Sequence, residues 1–136
     1  MRMSLGIKNN NPLNVRYSAL NRWQGLTGYE KGFCKFESVK FGLRAGIITL
    51  RTYINKHGLN SVEKILSRWA PTSENNTRNY ISYVSNCLLS LGSDPDDIQF
   101  GKVNFVRMVV AMCMFESWYR CCENDIFEVI NKFNLK

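Results

Sequence analysis

The sequence predicts a mainly α-helical fold with a small polar, turn-rich lobe at the N-terminal end. Two observations support this prediction. Residues 38–136 contain apolar patterns with helical spacing, bounded by capping residues or by glycine and proline stops. Residues 1–33 are instead rich in asparagine, glycine and aromatic residues, and they lack a sustained helical period.

The N-terminal lobe begins with turn signals. The run "NNNP" ends at Pro12, and glycines follow at positions 25, 28 and 32. Short β segments are expected around "LNVRY" and "GFCKF", which combine β-branched or aromatic residues with polar ones. We therefore expect irregular structure here, with short strands at these two places.

The first two expected helices follow the lobe. One spans residues 38–58, where Ser38 can act as the N-cap and Gly58 as the stop. The other spans residues 61–69 and is ended by Pro71, because proline removes a backbone donor and clashes with the preceding turn.

The third expected helix spans residues 72–92. Thr72 or Ser73 is expected to cap it, and Glu74 falls in its first turn, where a negative charge is favourable. The acidic segment "SDPDD" then predicts a tight turn.

Two more helices complete the chain. Residues 102–117 are apolar almost all round, which predicts a helix buried on every side. Residues 124–135 form an amphipathic pattern. With linkers too short to separate domains, we expect residues 1–136 to form a single domain.

Composition narrows the classes of function. Lysine and arginine number 18 against 11 aspartates and glutamates, so the net charge is +7. This balance favours a polyanionic partner such as nucleic acid, an anionic membrane surface or a bacterial cell-wall polymer. Basic residues are spread along the chain rather than concentrated on one helix face, so nucleic acid is not the expected partner.

Metal, disulfide and membrane features are not expected. Five cysteines accompany a single histidine without a C-x-x-C pair, so we expect no metal site and no cofactor, and we interpret the cysteines as reduced core thiols. The chain has no apolar signal-peptide region and no stretch long enough to span a membrane. We expect synthesis in the cytoplasm.

Glu116, in "MCMFESWYR", ends an almost wholly apolar helix. Apolar surroundings raise the pKa of a carboxyl group, and a protonated carboxyl at a helix end suits a general acid. Alternatively, Glu116 forms an i, i+4 ion pair with Arg120. The position alone does not choose between the two.

Two further clusters suit the binding of sugars. "RWAPTSENNTRNY" combines Trp69 and Tyr80 with amides and hydroxyls, although helix capping and turn formation would also explain these residues. "NNNPLNVRYSALNRWQGL" offers Arg16 and Trp23, which could line a groove for an anionic glycan. Glu37 is a further carboxylate, and it could equally belong to the N-terminus of the following helix.

Together these segments resemble a known family. "GIKNNNPLNVRY", "WQGLTG", "GFCKFESVKFGLRA" and "SVEKILSRWAPTSENNTRNYISYVS" resemble phage virion and prophage proteins with lysozyme-like domains, over roughly residues 6–120. Related domains occur in toxins of contact-dependent secretion systems. The resemblance implies a lysozyme-like fold and cleavage of the peptidoglycan glycan strand.

A weaker resemblance links the chain to flagellar-type and autolysin-type glucosaminidases. Their "ESGWG"-like piece comes first, whereas its counterpart here, "MCMFESWYR", comes last. This implies a circularly permuted lysozyme-type domain, in which the end of the helix at Glu116 meets the Asn9–Trp23 lobe across a cleft from Trp69–Tyr80. The glycine of the motif is replaced by Trp118, and no residue matches its second catalytic group.

From the residues and the resemblance we predict a peptidoglycan glycan-strand hydrolase, of muramidase or lytic transglycosylase type. A catalytically silent glycan-binding component of a virion or secretion apparatus is the alternative, and a basic nucleic-acid-binding module is a weaker one. Peptidoglycan is the expected partner, with an immunity or inhibitor protein or a virion or secretion-apparatus protein as further partners. Action in the periplasm or at the cell wall would require delivery by lysis, virion or secretion. The predicted site comprises Glu116, Glu37 and Glu74 as catalytic residues and Asn10, Arg16, Trp23, Trp69, Asn76, Tyr80 and Ser117 as substrate-binding residues.

Overall fold

The computed structural model describes residues 3–71 and 74–136, with the side chains at positions 74 and 75 left out. A mainly α architecture with one small sheet near the N-terminus is observed, which confirms the predicted fold class. In chain order, the elements of the described residues are α1 (Leu5–Lys8), β1 (Leu26–Glu30), β2 (Phe33–Phe36), α2 (Val39–Asn55), α3 (Val62–Trp69), α4 (Glu74–Ser90), α5 (Val103–Ser117) and α6 (Glu123–Lys132).

All five predicted helices are present, with ends within three residues of those expected. Ser61 caps α3 by accepting a hydrogen bond from the backbone N–H of Lys64 at 3.2 Å. Ser38 occupies the N-cap position of α2 but makes no side-chain capping bond. The capping expected of Thr72 or Ser73 lies outside the described residues.

The N-terminal lobe differs from the prediction in three details. "LNVRY" is not a strand, since only an isolated bridge joins Arg16 to Phe33. The partner of β2 is instead β1, which pairs antiparallel with it and places Glu30 opposite Phe33. Helix α1 was also not predicted, because a single turn is too short to display a helical period.

Asparagine side chains support the lobe from within. Asn11 is fully buried, and its Nδ2 donates to the carbonyl oxygens of Val15 and Cys34, both at 3.0 Å. Its Oδ1 accepts from the backbone N–H of Val15 at 2.9 Å. These bonds add to the backbone bond from the Cys34 N–H to the Val15 carbonyl oxygen at 3.0 Å, so the "NNNP" run is an internal scaffold as well as a turn.

The lobe rests directly on α2. A Cβ atom on Gly42 would overlap the backbone carbonyl oxygen of Asn10, and one on Gly46 would overlap the side chain of Leu13. Both glycines therefore permit a close approach that a larger residue would prevent.

Helix α5 forms the centre of the core, where Phe105, Met108 and Met112 are fully buried. The prediction that this helix is buried on every side is wrong, because Val103 and Phe115 are 42% and 39% exposed. The exposed side near the C-terminal end of α5 belongs to the cleft described below.

All five cysteines lie among the described residues, and none forms a disulfide. Only Cys34 and Cys113 are buried, while Cys122 is exposed, so the core-thiol interpretation holds for two of the five. No helix in the described ranges is both long and apolar enough to cross a membrane.

Candidate active site

The C-terminal end of α5 positions Glu116. The helix stops one residue later, at Ser117, because Trp118 adopts a left-handed conformation with φ 56°. The N–H of Trp118 donates to the carbonyl oxygen of Met114 at 3.0 Å, which closes the last turn. Arg120 therefore lies beyond the helix, and the described residues show no ion pair between Glu116 and Arg120.

Neutral donors hold both carboxylate oxygens of Glu116. Asn14 Nδ2 donates to Oε1 at 3.1 Å and to the Glu116 backbone carbonyl at 3.0 Å. Trp69 Nε1 donates to Oε2 at 3.1 Å. The N-terminal lobe and α3 thus fix the half-buried carboxylate from opposite sides.

These contacts lie in a cleft of about 600 Å³ between the lobe and the helices. We call the lobe side, formed by residues 14–16 and Phe33, the lobe wall; the side formed by α2, α3, α4 and α5 is the helical wall. The expected juxtaposition of Glu116, the Asn9–Trp23 lobe and the Trp69–Tyr80 segment is present. The cleft is lined by Asn14, Val15, Arg16, Phe33, Thr49, Tyr53, Trp69, Ala70, Pro71, Asn76, Thr77, Asn79, Tyr80, Phe115 and Glu116.

Tyr80 lies on the helical wall beside Glu116. Its side chain is 3% exposed and its ring stacks on Phe115, with the ring centres 4.1 Å apart. Burial raises the pKa of Tyr80 well above its usual value, and the charge and hydrogen-bonding contact of Glu116 raise it further. The hydroxyl oxygen is buried, and within the described residues no partner meets full hydrogen-bond geometry with it.

Arg16 lies on the lobe wall. Its side chain is exposed, and its guanidinium carbon lies 4.9 Å from the centre of the Phe33 ring. The backbone bridge between the same two residues brings the two side chains together. Across the cleft, Asn76 contributes an exposed amide to the helical wall.

Four predicted site residues do not line the cleft. Ser117 is fully buried and its Oγ donates to the carbonyl oxygen of Pro12 at 2.8 Å, so its assignment as a substrate-binding residue is wrong. Asn10 donates through Nδ2 to the Phe36 carbonyl at 3.0 Å and supports the lobe instead. Trp23 packs partly buried against the core, and Glu37 is exposed outside the cleft.

Glu74 is the first residue of α4, and its side chain lies outside the described part of the chain. Of the described residues that line the cleft, Glu116 alone carries a carboxylate. Within the same residues, no group of three or more histidine, cysteine or acidic side chains could hold a metal ion.

Sequence reasoning missed several residues of the cleft. Asn14 binds Glu116 from a left-handed backbone conformation, and nothing in its local sequence distinguishes it from the neighbouring asparagines. Thr49 and Tyr53 are four residues apart on α2, so they share one helix face. Two polar side chains on one face of a helix that follows the lobe could have indicated a cleft-lining face.

No protein-family model matches the chain. The chain is similar to Protein P5 of Pseudoalteromonas phage PM2, with 44% identity over 85 residues. The similar region covers 60% of this chain and 53% of Protein P5, so the chain spans about half the length of this curated relative.

Proposed function

We propose that the chain is a peptidoglycan glycan-strand hydrolase, of muramidase or lytic transglycosylase type, in which Glu116 is the general acid. One observation carries the proposal: a single carboxylate, fixed by neutral donors on both oxygens, lies in a cleft lined by aromatic rings and amides. Aromatic faces and amides are the groups that stack on sugar rings and bond their hydroxyls.

The contacts of Glu116 hold its carboxyl group in position for proton transfer. Asn14 Nδ2 and Trp69 Nε1 are hydrogen-bond donors and cannot accept a proton. They orient the carboxyl group while leaving its proton free to point into the cleft. In this mechanism Glu116 protonates the glycosidic oxygen of the leaving sugar as the bond to the anomeric carbon breaks.

The second step needs a nucleophile at the anomeric carbon. Because the described lining residues offer no second carboxylate, we favour attack by a group of the substrate, either the acetamido oxygen or the sugar 6-hydroxyl. Glu116, by then a carboxylate, takes up the proton that this attack or the following attack by water releases. The 6-hydroxyl route ends in an anhydro sugar.

The similarity to a phage protein is consistent with synthesis in the cytoplasm of an infected cell and action at the cell wall after lysis or virion delivery. The net charge of +7 would favour retention on the anionic wall.

The test compares the parent protein with Glu116→Gln on purified sacculi, measuring turbidity and released fragments. Glu116→Gln keeps the size of the side chain but removes the acid, and the rate should fall by about 10²–10⁴-fold. Glu37→Gln is the matched control, since Glu37 is exposed outside the cleft, and it should cleave at the parent rate. An unchanged rate for Glu116→Gln would contradict the acid assignment.

Mass spectrometry of the fragments identifies the route. An anhydro end differs from a reducing end by one water, and the terminal sugar shows which glycosidic bond was cut. The lack of a second carboxylate among the described lining residues also suits a silent glycan-binding component. Binding of the parent to sacculi without released fragments would favour that alternative.

A further inference from the structure

Arg16 presents a fixed positive charge to the cleft. The guanidinium carbon lies 4.9 Å from the centre of the Phe33 ring in a cation–π contact, and the side chain as a whole is exposed. Its backbone is held at the same place by the bridge to Phe33. Such a group is arranged in advance for a planar anion, so little rotamer freedom remains to be lost on binding.

The charge of Arg16 has no counter-ion among the described residues. Among the described residues, Arg16 forms no ion pair, and the two ion pairs found there join Lys8 to Glu30 and Arg107 to Glu123. Arg16 is also the sole lysine or arginine of the described lining residues. The carboxylate of the cleft, Glu116, is already bonded to Asn14 and Trp69.

We propose that Arg16 binds a carboxylate carried by the muramic acid residue of the glycan strand and so selects acidic muramyl glycans over neutral N-acetylglucosamine polymers. This inference rests on the proposed function. The lactyl substituent of muramic acid ends in a carboxylate or continues into a stem peptide that carries one. Both sources offer the planar two-oxygen acceptor that an arginine binds bidentately.

The location of Arg16 gives this contact a role in the choice of bond. Arg16 is two residues from Asn14, which donates a hydrogen bond to Glu116. One short segment of the lobe would therefore contact both the acidic substituent and the general acid. A strand bound with its acidic substituent at Arg16 presents a defined sugar to Glu116, whereas a neutral polymer has no group that fixes the register.

The experiment measures binding to Glu116→Gln protein, so that no ligand is cleaved during titration. Three ligands of equal sugar length are compared by calorimetry: peptide-bearing glycan fragments, peptide-free fragments with free lactyl carboxylates, and chitin oligomers. We expect at least one acidic fragment to bind about tenfold or more tightly than chitin, as for a charge-assisted hydrogen-bonded contact.

Arg16→Gln, added to Glu116→Gln, should lower the affinity for the acidic fragment to that for chitin and leave chitin binding unchanged. Arg16→Lys should restore part of the preference, because lysine keeps the charge but loses the planar fork. Arg22→Gln is the matched control, since Arg22 is an exposed arginine of the same lobe outside the cleft, and it should keep the full preference.

The outcomes separate the inference from the proposed function. If Arg16→Gln lowers the affinity for peptide-bearing fragments alone, the bound carboxylate belongs to the stem peptide. If it lowers the affinity for peptide-free fragments, the bound carboxylate belongs to the lactyl group. If the Glu116→Gln protein binds acidic fragments and chitin with equal affinity, the inference is overturned and the proposed function is not. The same holds if Arg16→Gln lowers the affinity for both ligands equally. If none of the three ligands binds, the proposed function fails and the inference fails with it.

Discussion

The two walls of the cleft are built by different forces. The lobe wall depends on buried polar contacts, above all the three bonds of Asn11 to the backbone of Val15 and Cys34. The helical wall depends on apolar packing, in which the buried Tyr80 stacks on Phe115. Glu116 is bonded to both walls.

Because of this difference, we expect substitutions to disrupt the two walls in different ways. Removing one partner of a buried hydrogen bond leaves the other unsatisfied, so the lobe wall should lose its geometry through a single substitution. A packed wall loses contacts and gains a cavity, which neighbouring side chains partly fill. We therefore expect the lobe to loosen separately from the helices, with loss of the Asn14 contact to Glu116 as the consequence.

The largest expected effect is that of Asn11→Ala. The substitution removes three hydrogen bonds in a fully buried site, and the Val15 N–H and the Cys34 carbonyl oxygen lose their side-chain partner, while the Val15 carbonyl keeps its bond from the Cys34 N–H. The free energy of unfolding should fall by about 3 kcal/mol or more. Denaturant unfolding measures this, with Asn21→Ala, at an exposed position of the same lobe, as the control. A loss below about 1 kcal/mol would contradict the polar scaffold.

The next largest effect is expected for Gly42→Ala, which tests the contact between lobe and helices. A glycine inside a helix usually gives way to alanine with a gain of about 0.5–1 kcal/mol. Here the new Cβ overlaps a backbone carbonyl oxygen of Asn10, so a loss of about 1–3 kcal/mol is expected. Gly46→Ala should cost less, because its closest overlap is with the end of the Leu13 side chain rather than with a backbone atom. A stabilised Gly42→Ala protein would contradict the close packing.

Alkaline pH should weaken the helical wall through Tyr80. Its pKa in the folded protein is raised well above 10.0, chiefly by burial, so above pH 10 the unfolded chain loses this proton before the folded protein does. Stability from Tyr80 is therefore fully present below about pH 10 and falls above it, by up to about 1.4 kcal/mol for each pH unit. Unfolding measured on both sides of pH 10 should show a shallower decline for Tyr80→Phe. If the free energy of unfolding falls equally with pH in the parent and in Tyr80→Phe, the Tyr80 hydroxyl is not buried in its neutral form.

The smallest effect is expected for Arg120→Ala, at the rim of the helical wall. Arg120 is exposed beyond the end of α5 and is not paired with Glu116 in the described structure. Stability should change by less than about 0.5 kcal/mol, and cleavage of sacculi should continue at the parent rate. A fall in rate comparable to that of Glu116→Gln would restore the ion-pair interpretation of Glu116.

The helices were predictable because each is long enough to display its period and ends at a recognisable stop, such as Gly58 after α2. The lobe was less predictable. Its strands are five and four residues long, and its stability comes from side chains such as Asn11 whose partners lie up to 23 residues away. Local structural propensity does not predict hydrogen bonds between residues so far apart in the sequence.

The same contrast holds for the site. Glu116, Trp69 and Tyr80 stand out because charge or large rings interrupt a pattern, and the structure gathers them in one cleft. Asn14 and Ser117 show the limit: each is a small polar residue whose contacts depend on the fold alone. Asn14 faces Glu116 and Ser117 faces Pro12, and their side chains gave no sign of this difference.

The bond between Asn14 and Glu116 joins residues 102 positions apart, and Ser4 donates to the carbonyl oxygen of Ser117 across 113 positions. During synthesis the lobe leaves the ribosome long before α5, so no cleft with its acid can exist until residue 117 has emerged. Because contacts between residues so far apart in the chain form late, we also expect slow folding, in which the lobe is completed only after α5 has docked on it.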